Sequence, residues 1–522
     1  MDNKIGLNKE IDESINIIKG VLGSGADFSV REFNFKLKKN SMKLAVLFIS
    51  GLVNQNRLDN LSLELNELMN SKSADDPNLI DSIFNKDQVI ENFFSRIKSF
   101  LLCNSMVNEG SDYEVVYDEL LAGHTVILFD GYEKFLSLDT YGPEGRNISE
   151  PTSQTIIRGP KEAFTEKLEV NISQIRRRIK DKSLKIENMQ IGSVTKTNVA
   201  VIYLDSMAKP EILKEIKTRL NKIDIDGVLD SGYIEELIKD DPHSVFPTIL
   251  NSEKPDSVVA ALLDGKVAIA VDGSPYVLTA PALFIDFLQV SEDYYHHYII
   301  SSMTRIFRSF SLALTLLVPS TYIALSTFHQ EMIPTPLLVS IAAQREGVPF
   351  PAFVEAILME LIFEILREAG IRMPRAIGSA ISIVGALVLG QAAVQAGIIS
   401  AVIVMTVSIT AISSFAIPNY SFSNAIRYLR FILMILAATF GLFGVFIGLI
   451  VLTLHLCKIK SIGVPYLSPM APRITNENKD TFVRFPLWKL KNRPIYSSKN
   501  TIPKINMQIP ISTGTKDKKE LD

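Results

Sequence analysis

Apolar residues are concentrated in the last third of the chain, and they predict helices that cross a membrane. The first long uncharged run, Ser309 to Phe328, contains 20 residues. A helix of about 20 residues spans about 30 Å, the thickness of the hydrocarbon core of a bilayer. Two longer uncharged runs follow, 51 residues from 376 to 426 and 27 residues from 431 to 457. The pattern predicts an α-helical multi-pass membrane domain over residues 301–457, with spans at about 309–328, 376–396, 398–417 and 431–457.

Basic residues beside these runs predict which side of the membrane each end occupies. Arg305 and Arg308 precede the first span, and Lys458 and Lys460 follow the last. Because Lys and Arg are enriched in cytoplasmic segments, both termini are expected in the cytoplasm, which requires an even number of crossings. Four spans satisfy this requirement, and a fifth crossing by the acidic segment before residue 370 is the main alternative.

One predicted helix between these spans combines apolar and acidic residues. The segment PFPAFVEAILMELIFEILREAG begins at Pro349 and ends at Gly370, residues typical of helix ends. Four glutamates lie within it: Glu355, Glu360, Glu364 and Glu368. At about 100° per residue the last three share one stripe, whereas Glu355 lies about 140° from Glu360. Because lipid-exposed carboxylates are costly, we expect a re-entrant or interfacial helix over residues 351–369.

These glutamates have two competing interpretations. In the first, they form structural ion pairs with nearby arginines: Arg345, Arg367, Arg372 and Arg375. In the second, they line a water-filled path. If several copies of the chain surround one axis, the equivalent glutamates of the copies form a ring that attracts cations. The second interpretation requires an oligomer, because one chain cannot form a ring.

The next apolar helix, AIGSAISIVGALVLGQAAVQAG, is rich in small residues. Small side chains three or four residues apart allow helices to pack closely in lipid, and Gly385 and Gly390 belong to this set. In an oligomer the same helix would leave a narrow apolar constriction at Val384 or Val388, which closes by dewetting. Ordinary helix packing is the alternative interpretation of each of these residues.

A repeated motif divides the N-terminal part into two similar units. LLAGHTVILFDG (Leu120–Gly131) and LLDGKVAIAVDG (Leu262–Gly273) share the spacing LLxGxxxIxxDG. Each is typical of a helix end, a glycine, an apolar strand and an Asp-Gly turn. The predicted fold class is therefore an α/β soluble N-terminal part with two similar α/β units, followed by the helical membrane domain. The predicted boundaries are a polar segment at 1–40, α/β units at 41–160 and 196–300, a helical connector at 161–195 and a basic C-terminal tail at 458–522.

Composition and charge argue against several other classes of protein. The chain has 54 Lys and Arg against 57 Asp and Glu, so it lacks the bulk positive charge of a nucleic-acid-binding protein. Two cysteines are too few for a zinc site of their own, and the sequence contains no phosphate-binding glycine motif or nucleophile motif. We therefore predict no metal, no cofactor and no enzymatic activity. Asp130 and Asp272 are interpreted as turn residues, and Arg176–Arg178 as a solvent-exposed face.

Five segments resemble the A subunits of GerA-type spore germinant receptors. They are RGPKEAFTEKLEVNISQIRRRIK (Arg158–Lys180), DSGYIEELIKD (Asp230–Asp240), FPTILNSEKPD (Phe246–Asp256), VPFPAFVEAILMELIFEILREAGIRMP (Val348–Pro374) and IGSAISIVGALVLGQAAVQAGIIS (Ile377–Ser400). The resemblance covers roughly residues 41–470. Lys254 stands where the family usually has an arginine, so the two-pronged hydrogen bonding of a guanidinium is lost there. A SpoVA-associated paralogue shares the same architecture.

This resemblance implies a protein of the spore inner membrane in an endospore-forming bacterium. It implies assembly with a transporter-like, nutrient-sensing B subunit and a lipoprotein C subunit. It further implies that A subunits form homo-oligomers, as pentamers, and act as a nutrient-gated ion channel that releases monovalent cations in germination. The alternative expectation is a non-conducting membrane scaffold that organises the B and C subunits.

Overall fold

The computed structural model describes residues 6–23, 27–37, 40–70, 91–101 without 92, 96 and 100, 107–142, 150–151, 154, 156–372, 390–475, 477–499 and 503–504. The chain forms two compact units. The first contains Met1–Lys239, Asn251–Pro281 and Arg493–Pro503, and the second contains Asp240–Leu250, Ala282–Asn492 and Lys504–Asp522.

Two five-stranded antiparallel sheets form the first unit. The strands are β1 (Phe28–Leu37), β2 (Asn40–Ile49), β3 (Val107–Gly110), β4 (Thr125–Phe129), β5 (Phe135–Leu138), β6 (Leu184–Ile191), β7 (Thr197–Leu204), β8 (Leu250–Ser252), β9 (Val267–Val271) and β10 (Val277–Ala280). The helices are α1 (Ile11–Leu22), α2 (Gln55–Asn70), α3 (Tyr113–Ala122), α4 (Leu168–Arg178), α5 (Pro210–Asn221), α6 (Ser231–Leu237) and α7 (Pro255–Leu263). The strand orders, β1-β2-β4-β5-β3 and β6-β7-β9-β10-β8, are equivalent. The prediction of two similar α/β units is confirmed.

The Asp-Gly turn of the repeated motif has the same role in both sheets. Asp130 Oδ1 accepts a hydrogen bond from the backbone N–H of Ile11 at 3.4 Å. Asp272 Oδ1 accepts one from the backbone N–H of Leu168 at 3.2 Å. Ile11 and Leu168 are the first residues of α1 and α4, so each turn satisfies a free amide at the start of a helix. Both aspartates are therefore turn residues that hold a helix against its sheet.

Each α/β unit begins earlier than its predicted boundary. Helix α1 packs Ile11, Ile15 and Ile18 into the core of the first sheet, and β1 pairs with β2 along its whole length. Residues 1–40 are therefore more than a polar lead-in. Likewise β6 is a strand of the second sheet and α4 packs into the core of that sheet, so neither is part of a connector. An amphipathic helix needs an apolar residue only at every third or fourth position, which leaves the overall composition polar.

One arginine of the predicted solvent-exposed face is buried instead. The side chain of Arg176 is 2% exposed, and its Nε donates to Asp27 Oδ2 at 2.8 Å. Because Asp27 precedes β1 and Arg176 lies in α4, this buried ion pair joins the two halves of the first unit. Arg177 and Arg178 are partly exposed and lie beside Glu162. The interpretation as a solvent-exposed face is therefore wrong for Arg176.

Helices dominate the second unit. They are α8 (Tyr298–Thr327), α9 (Thr335–Arg345), α10 (Ala352–Arg372), α11 (Gly390–Gln395), α12 (Ala401–Phe415) and α13 (Tyr420–Lys458), followed by the short strands β11 (Lys460–Ser461) and β12 (Val464–Pro465). Among the described residues, α8 and α13 are long and apolar enough to cross a membrane. The predicted span at 309–328 lies almost wholly within α8, and that at 398–417 contains α12. The predicted span at 376–396 lies mostly outside the described residues.

Helix α13 folds back on itself at one glycine. Gly441 has φ +62° and ψ −145°, a conformation that other residues adopt only with strain. It divides α13 into a first arm, residues 420–440, and a second arm, residues 442–458. A single straight helix over 431–457, as predicted, is therefore corrected to parts of two arms.

The outer ends of the two arms meet, which makes α13 a helical hairpin. A straight helix of 39 residues would be about 58 Å long. Instead, the rings of Phe422 and His455 lie 6.1 and 6.2 Å from the ring of Phe246. We call this end of the unit, marked by Phe246 and Phe422, the aromatic end. The opposite end, where His329 lies against Gly441, is the Gly441 end.

Helices α8 and α12 and the two arms of the hairpin run between these two ends. Leu316 of α8 and Ile417, just after α12, lie in the apolar cluster of the aromatic end. Ile323 of α8 and Ile403 of α12 lie in the cluster of the Gly441 end. Helix α8 and the first arm therefore run towards the Gly441 end, whereas α12 and the second arm run back.

Candidate functional site: the acidic helix and its arginines

Helix α10 buries two of its four glutamates and exposes some of its large apolar residues. Ala356, Glu355 and Glu360 are buried, whereas Leu361 and Ile365 are 51% and 67% exposed. A helix on the surface of a soluble protein has the reverse arrangement. Polar groups that face a bundle and apolar groups that face outward are typical of a helix surrounded by lipid.

At the centre of the site, Glu360 pairs with an arginine of the helical hairpin. Arg430 Nη2 lies 2.7 Å from Glu360 Oε2, and both side chains are fully buried. Arg430 is midway along the first arm, about 15 Å from each of its ends. Removing Arg430 would leave the Glu360 carboxylate buried without compensation.

Glu364, one turn further along α10, extends this pair into a network. Its carboxylate lies 2.9 Å from Arg427 Nη1, 3.3 Å from Arg430 Nη2 and 3.7 Å from Arg367 Nη1. Arg367 also donates to Asn424 Oδ1 at 3.1 Å. Two carboxylates therefore face three guanidinium groups, and the network carries one excess positive charge when all of them are ionised.

Several polar atoms of the network have no hydrogen-bond partner within the described part of the chain. They include Oε1 of Glu360, Nε and Nη1 of Arg430, and Nε of Arg427. Each buried polar group without a hydrogen bond is destabilising by about 1–3 kcal/mol. Both carboxylates of the network have guanidinium partners, but its hydrogen-bonding capacity is not used in full.

The other two glutamates lie towards opposite ends of α10. Glu355 is buried, accepts a hydrogen bond from the backbone N–H of Ser400 at 3.0 Å, and lies 3.4 Å from Arg345 Nε. Ser400 precedes α12, so this carboxylate stabilises the N-terminus of that helix. Glu368 is exposed, and its carboxylate lies 2.7 Å from Arg372 Nη2.

Most sequence-predicted site residues can be located. All four glutamates pair with arginines, and three of the arginines named from the sequence take part: Arg345, Arg367 and Arg372. Arg375, Val384, Gly385 and Val388 lie outside the described residues. Gly390 begins α11, where a Cβ atom would stand 3.6 Å from Val404 Cγ1, an ordinary packing distance. The ion-path and gate roles of these residues stay predictions.

The two most buried arginines of the network, Arg427 and Arg430, were not among the residues predicted from the sequence. A signal was present, because two arginines three residues apart share one helix face and border a long apolar run. Glu360 and Glu364, four residues apart, form a matching face. Whether the arginine face contacts the glutamate face depends on the hairpin at Gly441, which is a tertiary feature that the sequence pattern does not indicate.

Comparison with known proteins places the chain among spore germination proteins. A family model described as Bacillus/Clostridium GerA spore germination protein matches residues 16–496. The chain is 44% identical over 493 residues to Spore germination protein KA of Bacillus subtilis (strain 168), covering 94% of this chain and 88% of that protein. It is 43% identical over 469 residues to a protein of the same organism named Uncharacterized membrane protein YfkQ, covering 90% and 88%. The chain is also similar to a crystal structure, that of the N-terminal domain of the A subunit of the Bacillus megaterium spore germinant receptor GerK3. The two are 33% identical, the match covers 54% of this chain and 99% of that chain, and the TM-score is 0.42.

Proposed function

The chain belongs to the GerA spore germination protein family, and from this membership we propose that it is the channel-forming subunit of a nutrient-gated receptor. Its role as a germinant receptor A subunit in spore germination follows from the family and its relatives. Beyond that role, we propose that five copies form a homo-oligomer in the spore inner membrane. Both termini of each copy lie in the cytoplasm. The open channel releases monovalent cations.

The partners of this proposal come from the family resemblance. A transporter-like B subunit senses the nutrient, and a lipoprotein C subunit completes the receptor. The two-sheet first unit of each copy would contact its neighbours and transmit the nutrient signal to the helical unit.

The buried network of Glu360, Glu364 and Arg430 is the observation that carries the proposal. Charged groups midway along apolar helices are costly, and where they occur they mark ion paths in many membrane proteins. In the closed state, Arg427 and Arg430 hold the two carboxylates by ion pairing. When the nutrient signal moves the hairpin, the carboxylates are released towards an axis shared by the copies, where rings of glutamates attract cations. The arginines therefore act as a latch.

A gate complements this latch. Val384 or Val388 would form the apolar constriction, and Gly385 and Gly390 would allow the neighbouring helices to approach closely. Replacing either valine with alanine is expected to widen the constriction and to cause a cation leak before nutrient is added. If dormant spores of both variants retain their cations, the result would count against this constriction.

A non-conducting scaffold is the second candidate function. One observation favours it, since the glutamates already pair with arginines of the same chain and need no wet path to be tolerated. In this case the network is a structural brace between α10 and the hairpin.

A neutralised pair separates the two functions. The variant E360Q/R430Q removes both charges at once, so it leaves no uncompensated charge in the interior. The matched control is E368Q/R372Q, which neutralises an exposed pair on the same helix. Potassium release from spores after nutrient addition and the amount of receptor in the spore membrane are measured together.

The channel proposal expects E360Q/R430Q to reach the wild-type protein level while cation release falls about tenfold. The control variant is expected to release cations normally. Normal release from E360Q/R430Q spores would favour the scaffold, because a brace tolerates a neutral pair.

A further inference from the structure

We propose that the C-terminal segment 482–491 and the first turns of α8 form a membrane-surface anchor that binds the headgroup region of an anionic bilayer. The proposal rests on the membrane location of the helical unit and is independent of whether the channel conducts. It assigns a function to a part of the predicted basic tail.

The C-terminal segment exposes large apolar side chains next to lysines. Phe485, Leu487 and Trp488 are 36%, 44% and 38% exposed. Lys489 and Lys491 are exposed beside them, and Lys489 Nζ lies 5.9 Å from the centroid of the Phe485 ring. Aromatic rings next to lysines are characteristic of protein surfaces at the boundary between lipid and water.

This segment is held firmly against the start of α8. Arg484 is buried and donates from Nη1 to the carbonyl oxygens of Asp293 and His296, at 3.0 and 2.9 Å. Ser302 Oγ donates to the carbonyl of Arg484 at 2.9 Å. The Trp488 ring also lies 6.1 Å from the Tyr298 ring. Because the backbone is anchored in this way, the apolar side chains stay exposed instead of collapsing onto one another.

The start of α8 adds an apolar stripe beside this segment. The stripe residues are about half exposed or more: Ile299, Met303, Ile306, Phe307 and Phe310. Their spacing of four, three, one and three residues places them on one helix face. The opposite face carries Arg305 and Arg308, which pair with Asp293.

Continuity and charge identify the bilayer as the occupant of this surface. The stripe runs without interruption into the apolar part of α8, which is long and apolar enough to cross a membrane. Lys458, the last residue of the second arm, and Lys460 just after it are exposed and lie at the same aromatic end of the unit. Lysines clustered beside membrane-spanning helices favour contact with anionic lipid.

The chain contains a single tryptophan, so Trp488 reports on the anchor directly. The full chain is reconstituted into phosphatidylcholine vesicles with about 30% phosphatidylglycerol, with or without lipids brominated near the top of the acyl chain. We expect blue-shifted emission that the brominated lipids quench. The variant K489E/K491E is expected to lose about half of this quenching. The control K214E/K222E changes the net charge equally on exposed positions of the first unit and is expected to keep it.

Three results would overturn the proposal. Quenching by aqueous iodide but not by brominated lipid would show that Trp488 faces water. Protection from both quenchers would show that another copy or a partner protein covers it. Equal lipid quenching in K489E/K491E and in the wild type would show that the two lysines do not bind anionic headgroups.

Discussion

Arg430 Nη2 lies 2.7 Å from Glu360 Oε2, in a pair with no exposed surface on either side chain. The pair connects α10 to the middle of the first arm of the hairpin. Glu364 and Arg427 repeat the connection one turn closer to the aromatic end, at 2.9 Å. Two successive ion pairs therefore link α10 to the first arm of the hairpin, one helical turn apart.

The central pair is expected to behave as a unit in stability measurements. R430Q alone leaves the buried Glu360 carboxylate without a cation and should lower the free energy of unfolding by roughly 3–5 kcal/mol. E360Q alone should cost less, because Arg430 Nη2 keeps its 3.3 Å contact with Glu364. The double variant E360Q/R430Q should recover most of this loss. Thermal unfolding of the detergent-solubilised full chain measures the three values, and additive losses would show that the two side chains do not depend on each other.

Local chemistry accounts for what the sequence predicts well. The equivalence of the two α/β units is visible in the shared Asp-Gly motif, because the turn at Asp130 and at Asp272 depends only on neighbouring residues. The helix that each turn holds is 119 or 104 residues away and is not visible in the motif. The apolar span at 309–328 likewise depends only on the composition of α8.

Tertiary contacts account for what the sequence does not predict. Arg430 and Glu364 are 66 residues apart, and nothing local indicates that they meet. Their contact depends on the hairpin, which depends in turn on one backbone conformation at Gly441. Arg176 was wrongly interpreted as solvent-exposed for the same reason, since its partner Asp27, just before β1, is 149 residues away.

Cross-linking tests the hairpin directly. In the structure Gly448 of the second arm packs against Leu433 of the first. We expect L433C and G448C to form an intramolecular disulfide in a chain whose two native cysteines are replaced by serine. In a straight helix the two positions would be about 22 Å apart, far beyond the reach of a disulfide. Mass spectrometry of the oxidised protein detects the product, and the outward-facing pair I435C/V451C should remain reduced.

Gly441 is expected to tolerate no side chain. A Cβ atom there would stand 2.7 Å from His329 Cε1, and the positive φ angle adds backbone strain. We expect G441A to destabilise the helical unit by about 1–3 kcal/mol. Removing the imidazole in G441A/H329A should relieve the collision but not the strain, so stability should return only in part.

The matched control for this prediction is G20A. Gly20 lies in α1, and a Cβ atom there would meet nothing within 4 Å. Alanine in a helix is favoured over glycine by about 0.5–1 kcal/mol, so no loss is expected. Wild-type thermal stability of G441A would mean that α13 does not turn at this residue.

Glu235 should make the first unit sensitive to pH. Burial in α6 raises the pKa of this carboxyl above its usual value of 4.5, although Lys239 and a hydrogen bond from Asn251 oppose the shift. The folded chain therefore binds this proton more tightly than the unfolded chain. Stability from Glu235 is present at low pH and is lost as the pH rises from 4.5 through the raised folded pKa.

The variant E235Q stays neutral and should not show this loss. The unfolding temperature of the wild type should therefore fall relative to that of E235Q as the pH rises through that window. The exposed neighbour provides the control E236Q, measured over the same pH series. A pH-independent difference for E235Q would show that the Glu235 carboxyl does not change its protonation on unfolding.

Releasing the latch should open the channel without nutrient. Arg427 Nη1 lies 2.9 Å from Glu364 Oε2, whereas Arg367 is further from the same oxygen, at 3.7 Å. R427Q therefore removes the closest cation of Glu364 while Arg430 still neutralises Glu360. We expect dormant R427Q spores to lose potassium before any nutrient is added, and R372Q spores, altered at an exposed arginine, to retain it. Full potassium retention by R427Q at the wild-type receptor level would show that Arg427 does not hold the channel closed.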